Sequence, residues 1–540
     1  MNILWKLVPV LLLCGTYQVQ ANTITVVTKG AGQFGASFLS ASQDSFKADP
    51  SLVYIKAKKF SDGAKRNVYP SADLTGEDKE LFCTYSPRLN APERSELYFY
   101  GDKPLTKRVG EINEVNNTFA YLDAQSGVLN EHGVMIATSR AYVKNFKKVS
   151  YKNGGILNVS ELSRIALERC DSAKCSIDTI GALIEEYGVY GVPYIICVAD
   201  KDTAYTMEIL PLEDDKKGLW IAKRITDGSV YVSADSFRID DIDESDESII
   251  MQPGLIQKLN DRKIAKTNSN KKLSWKYSVR ACEKRPYYSL RRIWRASCIF
   301  DANCKLSAWS DSYLKNDYPF EIVPDRKISA EFLMQLHRDT FKGTEFDPSS
   351  TRTGGFFASP YSYNLKNERA ISTASTTYTY INEVSSDLPV PICYFALNTP
   401  AESTFIPLAV SELPDAYSKV DRNKYDETKL YWATNMVSTL TKGYYYTMID
   451  TVKVKALELE QKSKATISQY SKLSAKDFTS LLNANAISSI TGINNLYQQL
   501  LEQHDNGYKL RYAQGHNPKF IPVERYNKEE NLKKARQTND

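Results

Sequence analysis

Apolar positions along this chain keep two rhythms, alternation with a period of two and stripes with a period near 3.6, and their order predicts the architecture. Period-two runs predict strands at residues 23–28, 38–46, 118–123, 127–130, 134–137, 194–200, 204–209, 220–225, 230–233, 376–381 and 391–396. Between two of them, Asn130-Glu131-His132-Gly133 reads as a tight turn with glycine where φ > 0 is tolerated, so the flanking strands form a hairpin. Helical stripes follow. Asn158-Val159-Ser160-Glu161 has capping-box spacing before Leu162, Ile165 and Ala166. Ile177, Ile180, Leu183, Ile184 and Tyr187 then repeat at helical spacing until Gly188 stops them. Ser329 caps another helix, with Ile328 stapling onto Leu333. Strands, then helices, then strands predict an α+β fold in which two sheets stack with helices outside, a four-layer αββα sandwich over residues 22–440. From about residue 441 the pattern is helical and charged, and from Tyr508 polar and basic, so residues 441–540 are expected to be a helical extension with a basic tail.

The first residues carry a different message. Lys6 is a positive start, Leu7 to Cys14 a short apolar core, and Val19-Gln20-Ala21 the small residues a signal peptidase reads, so residues 1–21 are expected to be an export signal. Cleavage after Ala21 would leave Asn22 as a new amino terminus at the head of the first strand, in a secreted or otherwise extracytoplasmic protein. Two sequons, at Asn116 and Asn158, would then be open to glycans in a eukaryotic host. Eight cysteines follow Cys14, and an exported destination permits disulfides, for which Cys170 with Cys175 and Cys298 with Cys304 are the candidates. No Cys-x-x-Cys unit occurs and the four histidines are scattered, so no metal or other cofactor is expected. The net charge of +5 is diluted among 69 basic and 64 acidic side chains without a basic stripe, which excludes a nucleic-acid partner. Beyond the signal, no run approaches the roughly 18 apolar residues of a membrane span.

Several short segments occur in a telling order: Asn22-Thr23 leading through a strand to Lys29-Gly30-Ala31, then Ala41-Ser42-Gln43-Asp44, and Asn130-Glu131-His132-Gly133. Met207-Glu208-Ile209, Asp227-Gly228, Ala234-Asp235-Ser236-Phe237-Arg238-Ile239 and Arg292-Ile293-Trp294-Arg295 follow. The ordered set resembles peptidase family C69, dipeptidases of the N-terminal-nucleophile hydrolase superfamily related to penicillin V acylases and bile salt hydrolases. The resemblance implies the αββα fold, small peptides or other amides as partners, and a mechanism in which the first residue's side chain attacks while its own α-amine acts as base. It places the nucleophile at Asn22, the amine-holding carboxylate at Asp44, and oxyanion donors at Asn130 and Asp235. The family's own residues at these places are Cys at 22, Arg at 41, Asn at 42 and Asn at 235, and its Glu-Ser becomes Thr138-Ser139 here.

These departures bear on chemistry. An amide side chain has no proton whose removal yields a nucleophile, and a carboxylate at 235 would repel a developing oxyanion. Thr23 could attack only if cleavage fell one residue later, and strand alternation would aim its hydroxyl away from the pocket. The expectation is a dipeptidase-type amide hydrolase with weak or altered activity, or else a catalytically silent member that binds peptides.

Overall fold

The computed structural model describes residues 22–46, 48–70, 89–101, 104–281, 286–312, 314–315, 318–361, 368–505, 508–511 and 519–521. Residues 1–21, expected to be an export signal, and Cys83 and Cys282 lie outside the described residues. Two large antiparallel sheets organise the rest. In one, seven strands run in the order Glu321–Ile322, Val230–Ser233, Ile24–Val27, Ser37–Asp44, Thr376–Val384, Ile392–Leu397 and Ile406–Ala409. The other has eight, in the order Ile249–Met251, Leu219–Arg224, Ala204–Leu210, Tyr194–Ala199, Met135–Arg140, Gly127–Asn130, Tyr121–Asp123 and Val53–Ile55.

Alternation decides which side chains meet across the sheets. Ile24, Val26, Leu39 and Ala41 of the first sheet share one buried cluster with Leu129, Met135, Ala137, Ile195 and Cys197 of the second. Residues one step along each strand face the other way. Ile136, Ile196 and Val198 meet Leu162, Ile165, Ile177 and Ile180 of the helices Val159–Arg169 and Ala173–Tyr187. Val27, Phe38 and Val232 meet Ala296 and Phe300 of helix Tyr287–Phe300 and Leu333 of helix Ala330–His337. The structure is a mixed α+β sandwich.

Local signals behave as their chemistry requires. The Asn158 carboxamide caps its helix by accepting from the N–H groups of Ser160 and Glu161, and Gly188 ends the next helix at φ 74°. That cap corrects one expectation: Asn158 has no exposed surface, so its sequon is closed to a glycan in the folded chain, whereas Asn116 is exposed. Cys170 is bonded to Cys175 and Cys298 to Cys304, with Cα separations of 5.5 and 4.9 Å. Toward the C terminus, helices Leu430–Gly443, Tyr445–Ile467 and Ala475–Gln503 add Leu459, Ala486 and Ile493 to the cluster between the sheets and Phe478 and Leu482 to the outer layer. Among the described residues no helix is long and apolar enough to cross a membrane.

One buried carboxyl makes the fold pH-sensitive. Among the described residues Glu402, 2% exposed, accepts from the Ser438 hydroxyl alone, at 2.6 Å. Burial pushes its pKa from 4.5 to about 7, against the opposing pull of Lys442 and Ser438. The unfolded chain releases this proton near the lower value and the folded chain near the higher, so the contribution is whole below pH 4.5 and is lost as pH rises to about 7. Glu402→Gln is expected to remove that slope and to be more stable than the parent at pH 8, by up to about 3 kcal/mol. Chemical denaturation of both proteins at pH 5 and pH 8 checks this.

Candidate active site

Strand register builds the site. Ile24 pairs with Ala41 on one side and with Ser233 on the other, so carrying both ladders two residues back sets Gln43 and Asp235 on either flank of Asn22. Asn22 is 7% exposed and all of its polar atoms are engaged. Its backbone N–H donates to Asp235 Oδ1 at 2.9 Å, and its Nδ2 donates to the Thr138 carbonyl at 2.9 Å and to Gln43 Oε1 at 3.3 Å. Its Oδ1 accepts from the Asp44 N–H at 3.2 Å, and its carbonyl from Arg292 Nη1 at 2.9 Å.

Asp235 is held from three sides. It follows strand Val230–Ser233 with φ 63°, a left-handed conformation that Asp and Asn tolerate better than most residues. Oδ1 accepts the Asn22 N–H and the Ser139 hydroxyl at 2.8 Å, and Oδ2 accepts Arg292 Nη2 at 2.6 Å. Neither partner of that ion pair has exposed side-chain surface. Arg292 reaches in from helix Tyr287–Phe300 and also donates to Thr23 Oγ1 and to the Tyr288 carbonyl, both at 2.9 Å. Glu208 steadies the chain just beyond Asp235 by accepting from the Arg238 and Ile239 N–H groups and from the Trp275 indole. Burial raises the Glu208 carboxyl to about 8, although these three donors favour its ionised form.

Thr23 and Asp44 belong to the opposite face of the same sheet. Asn22 is in step with Ile24 and Val26 toward the second sheet, whereas the Thr23 hydroxyl meets Arg292 in the helical layer and is fully buried. The Asp44 carboxylate is also turned away from Asn22: Oδ1 accepts from Thr376 Oγ1 at 2.6 Å, and Oδ2 from Ser42 Oγ at 2.9 Å and Arg369 Nη2 at 2.7 Å. The structure thus corrects the expected division of labour. Asp235, not Asp44, takes the Asn22 nitrogen, and the Asp235 charge is compensated by Arg292 instead of standing bare beside the site. His337 lies near Asp44, hydrogen-bonded to the Ser40 hydroxyl, and burial lowers its pKa to about 4, so it is neutral at physiological pH.

Asn130 is not brought into this cluster. It ends strand Gly127–Asn130, and its Nδ2 donates to the Leu167 and Cys170 carbonyls at 2.9 and 2.7 Å, closing the end of helix Val159–Arg169. Its Oδ1 accepts from the His132 and Val134 N–H groups and shapes the hairpin turn. With Nδ2 spent on the helix and Oδ1 on the turn, this amide offers no donor to residue 22. Residues that sequence reasoning did not single out complete the site: Gln43, Ser139 and Arg292 at Asn22, with Arg369 and Thr376 at Asp44. Arg292 falls within a segment that carries the resemblance, but nothing in that segment tells which of its two arginines points inward.

Beside Asn22 opens a cleft lined by Gln43, Gln125, Ser126, Thr138, Ser139, Arg140, Val159, Ser160 and Tyr194. Its enclosed part is about 20 Å³, room for one water-sized group. Among the described residues no group of carboxylates, histidines and cysteines gathers in a way that could hold a metal ion.

Comparison with known proteins gives the family. The profile of peptidase family C69 matches residues 106–458, a span that takes in Asp235, Arg292 and Arg369 and leaves Asn22 and Asp44 outside. Dipeptidase A of Lactobacillus helveticus is 22% identical over 397 residues, covering 69% of this chain and 77% of that protein.

The buried pair at the centre is testable. Asp235→Asn leaves the Arg292 guanidinium without its counter-charge and is expected to destabilise the fold by about 3 kcal/mol. Combining it with Arg292→Met is expected to cost less than the two single losses added together, as coupling requires. Denaturant unfolding of the parent, both single variants and the double variant completes the cycle.

Proposed function

The chain belongs to peptidase family C69, and from that premise we propose that it is a peptide-directed member on the N-terminal-nucleophile αββα scaffold whose own hydrolytic turnover is weak or lost. At family level the chemistry is peptide-bond hydrolysis. The observation that carries the finer reading is Asn22 itself, with its carboxamide bonded to Thr138, Gln43 and Asp44 and its nitrogen bonded to Asp235.

Attack in this class needs a side chain that gives up a proton and a neutral α-amine that takes it. Asn22 has no such proton. If export cleaves the chain after Ala21, the new α-amine stands 2.9 Å from the Asp235 carboxylate. A neighbouring negative charge favours the protonated form of an amine and weakens it as a base. The geometry therefore suits an amino terminus locked as a cation in a peptide cleft. A dipeptidase activity carried by Thr23 is the second reading; it draws on the Arg292 contact to that hydroxyl, but the side chain lies on the face away from the cleft.

The test is release of free amino acids from a dipeptide panel by the purified mature protein, with its amino terminus established by mass spectrometry. Turnover well below about 1 per second, the low end of ordinary enzyme rates, is expected. Ordinary turnover would overturn the reading, and its loss in Thr23→Ala would transfer the chemistry to Thr23. An Asn22→Cys variant is expected to recover little by itself, because Asp235 still occupies the place where an oxyanion would need a donor.

A further inference from the structure

Nine of the ten side chains lining the Asn22 cleft are neutral, and the tenth is Arg140. The two buried arginines nearest Asn22 and Asp44 are answered by carboxylates, Arg292 by Asp235 and Arg369 by Asp44. Arg140 is the exception. Among the described residues its guanidinium makes no hydrogen bond or ion pair. Its Nε is buried and unpartnered, and its neighbour is the Tyr142 ring, 5.1 Å from the guanidinium carbon. A buried donor left unmatched costs stability, by about 1–3 kcal/mol and more when it is charged. A cationic donor beside a cleft is suited to an anionic group that enters it.

The surroundings match that ligand in charge and in shape. No acidic side chain lines the cleft, while Ser126, Thr138 and Ser160 form a chain of hydroxyls with contacts of 3.1 Å across it. Val159 and Ser160 bring the first turn of an eleven-residue helix to the same wall. The enclosed space holds one small group, so a ligand enters by its end and leaves the rest of its chain outside.

We infer that Arg140 is a specificity residue that receives the free C-terminal carboxylate of a short peptide, placing the peptide so that its backbone lies over Asn22. This deepens the proposed peptide-directed function and rests on it. A planar guanidinium takes a carboxylate through two parallel N–H···O bonds, a geometry that an amide terminus cannot reproduce.

The experiment is calorimetric titration of the mature protein with Ala-Ala, its C-terminal amide, its N-acetyl form, and N-acetyl-aspartate amide, whose only carboxylate is a side chain. Amidation is expected to weaken binding by at least about tenfold, the worth of a charge-assisted hydrogen bond, while acetylation has a smaller effect. Arg140→Gln is expected to bind the acid and the amide alike, and Arg140→Lys to keep part of the preference. Because Arg140 has no hydrogen bond or ion pair to lose, neither variant is expected to melt below the parent; if Arg140→Gln does not fold, the amide-to-acid ratio of the parent and of Arg140→Lys still decides. Equal binding of acid and amide by the parent would overturn the role of Arg140 while leaving peptide binding in place. Binding of N-acetyl-aspartate amide alone would reassign the site to side-chain carboxylates and overturn it as well. Absence of binding by every ligand, with no hydrolysis, would remove both this inference and the function beneath it.

Discussion

The ion pair of Arg292 with Asp235 ties together parts of the chain that lie far apart in sequence. Arg292 stands on a helix of the outer layer, Asp235 just past a strand of the seven-stranded sheet, and Asn22 and Thr23 at the head of the neighbouring strand. The guanidinium bonds all three. Removing two charges from water is expensive, and their attraction offsets this only when the remaining donors and acceptors are also matched. Here the second carboxylate oxygen takes the Asn22 nitrogen and the Ser139 hydroxyl, so the pair has the supporting bonds it needs. The first residues of the described chain are thereby fixed as firmly as the core.

That constraint bears directly on chemistry. A reacting amino terminus needs room for its amine to change protonation and for its side chain to approach a carbonyl. The Asn22 carboxamide bridges both sheets, from Gln43 and Asp44 in one to Thr138 in the other, which holds that side chain in place. Asn22, Ser42 and Asp235 are linked through the same set of bonds. The Asp235 carboxylate answers Arg292 and the Asn22 nitrogen together, and Ser42 supplies a hydroxyl to Asp44 and a hydrogen-bond acceptor to the Thr23 N–H.

A second buried network sets the opposite wall of the cleft. Glu161 is bonded to Arg66, Arg94 and Arg164, Glu168 to Arg66, and Asp123 to Arg164. Burial alone would raise the Glu161 pKa, but Arg94, Arg66 and Arg164 reverse this and hold it well below the usual carboxylate range. The network pins helix Val159–Arg169, and hence the first-turn residues Val159 and Ser160, against the strands and loops around it. Arg164 also donates to the carbonyl of Gln125, another lining residue. The cleft is thus framed by two rigid ion-pair clusters, with Arg140 between them bearing the one uncompensated charge among its lining side chains.

What the sequence by itself determined is whatever depends on near neighbours. Alternation gave away the strands, Gly133 the hairpin turn, Asn158 and Gly188 the ends of their helices, and short separations the two cysteine pairs; each follows from dihedral preference or loop closure over a few residues. The ordered segments were also enough to recognise the family. Only the tertiary structure decided which groups face Asn22, since Asp235 and Arg292 lie 213 and 270 residues away and reach it through strand register and helix packing. The same is true of direction. An Asn-x-x-Gly turn reads alike whether its amide faces a pocket or a helix, and Asn130 faces the helix because the carbonyls of Leu167 and Cys170 stand there unpaired without it. Asp44 and Thr23 likewise carry the right chemistry on the wrong face, a difference of one residue in register that no local pattern records.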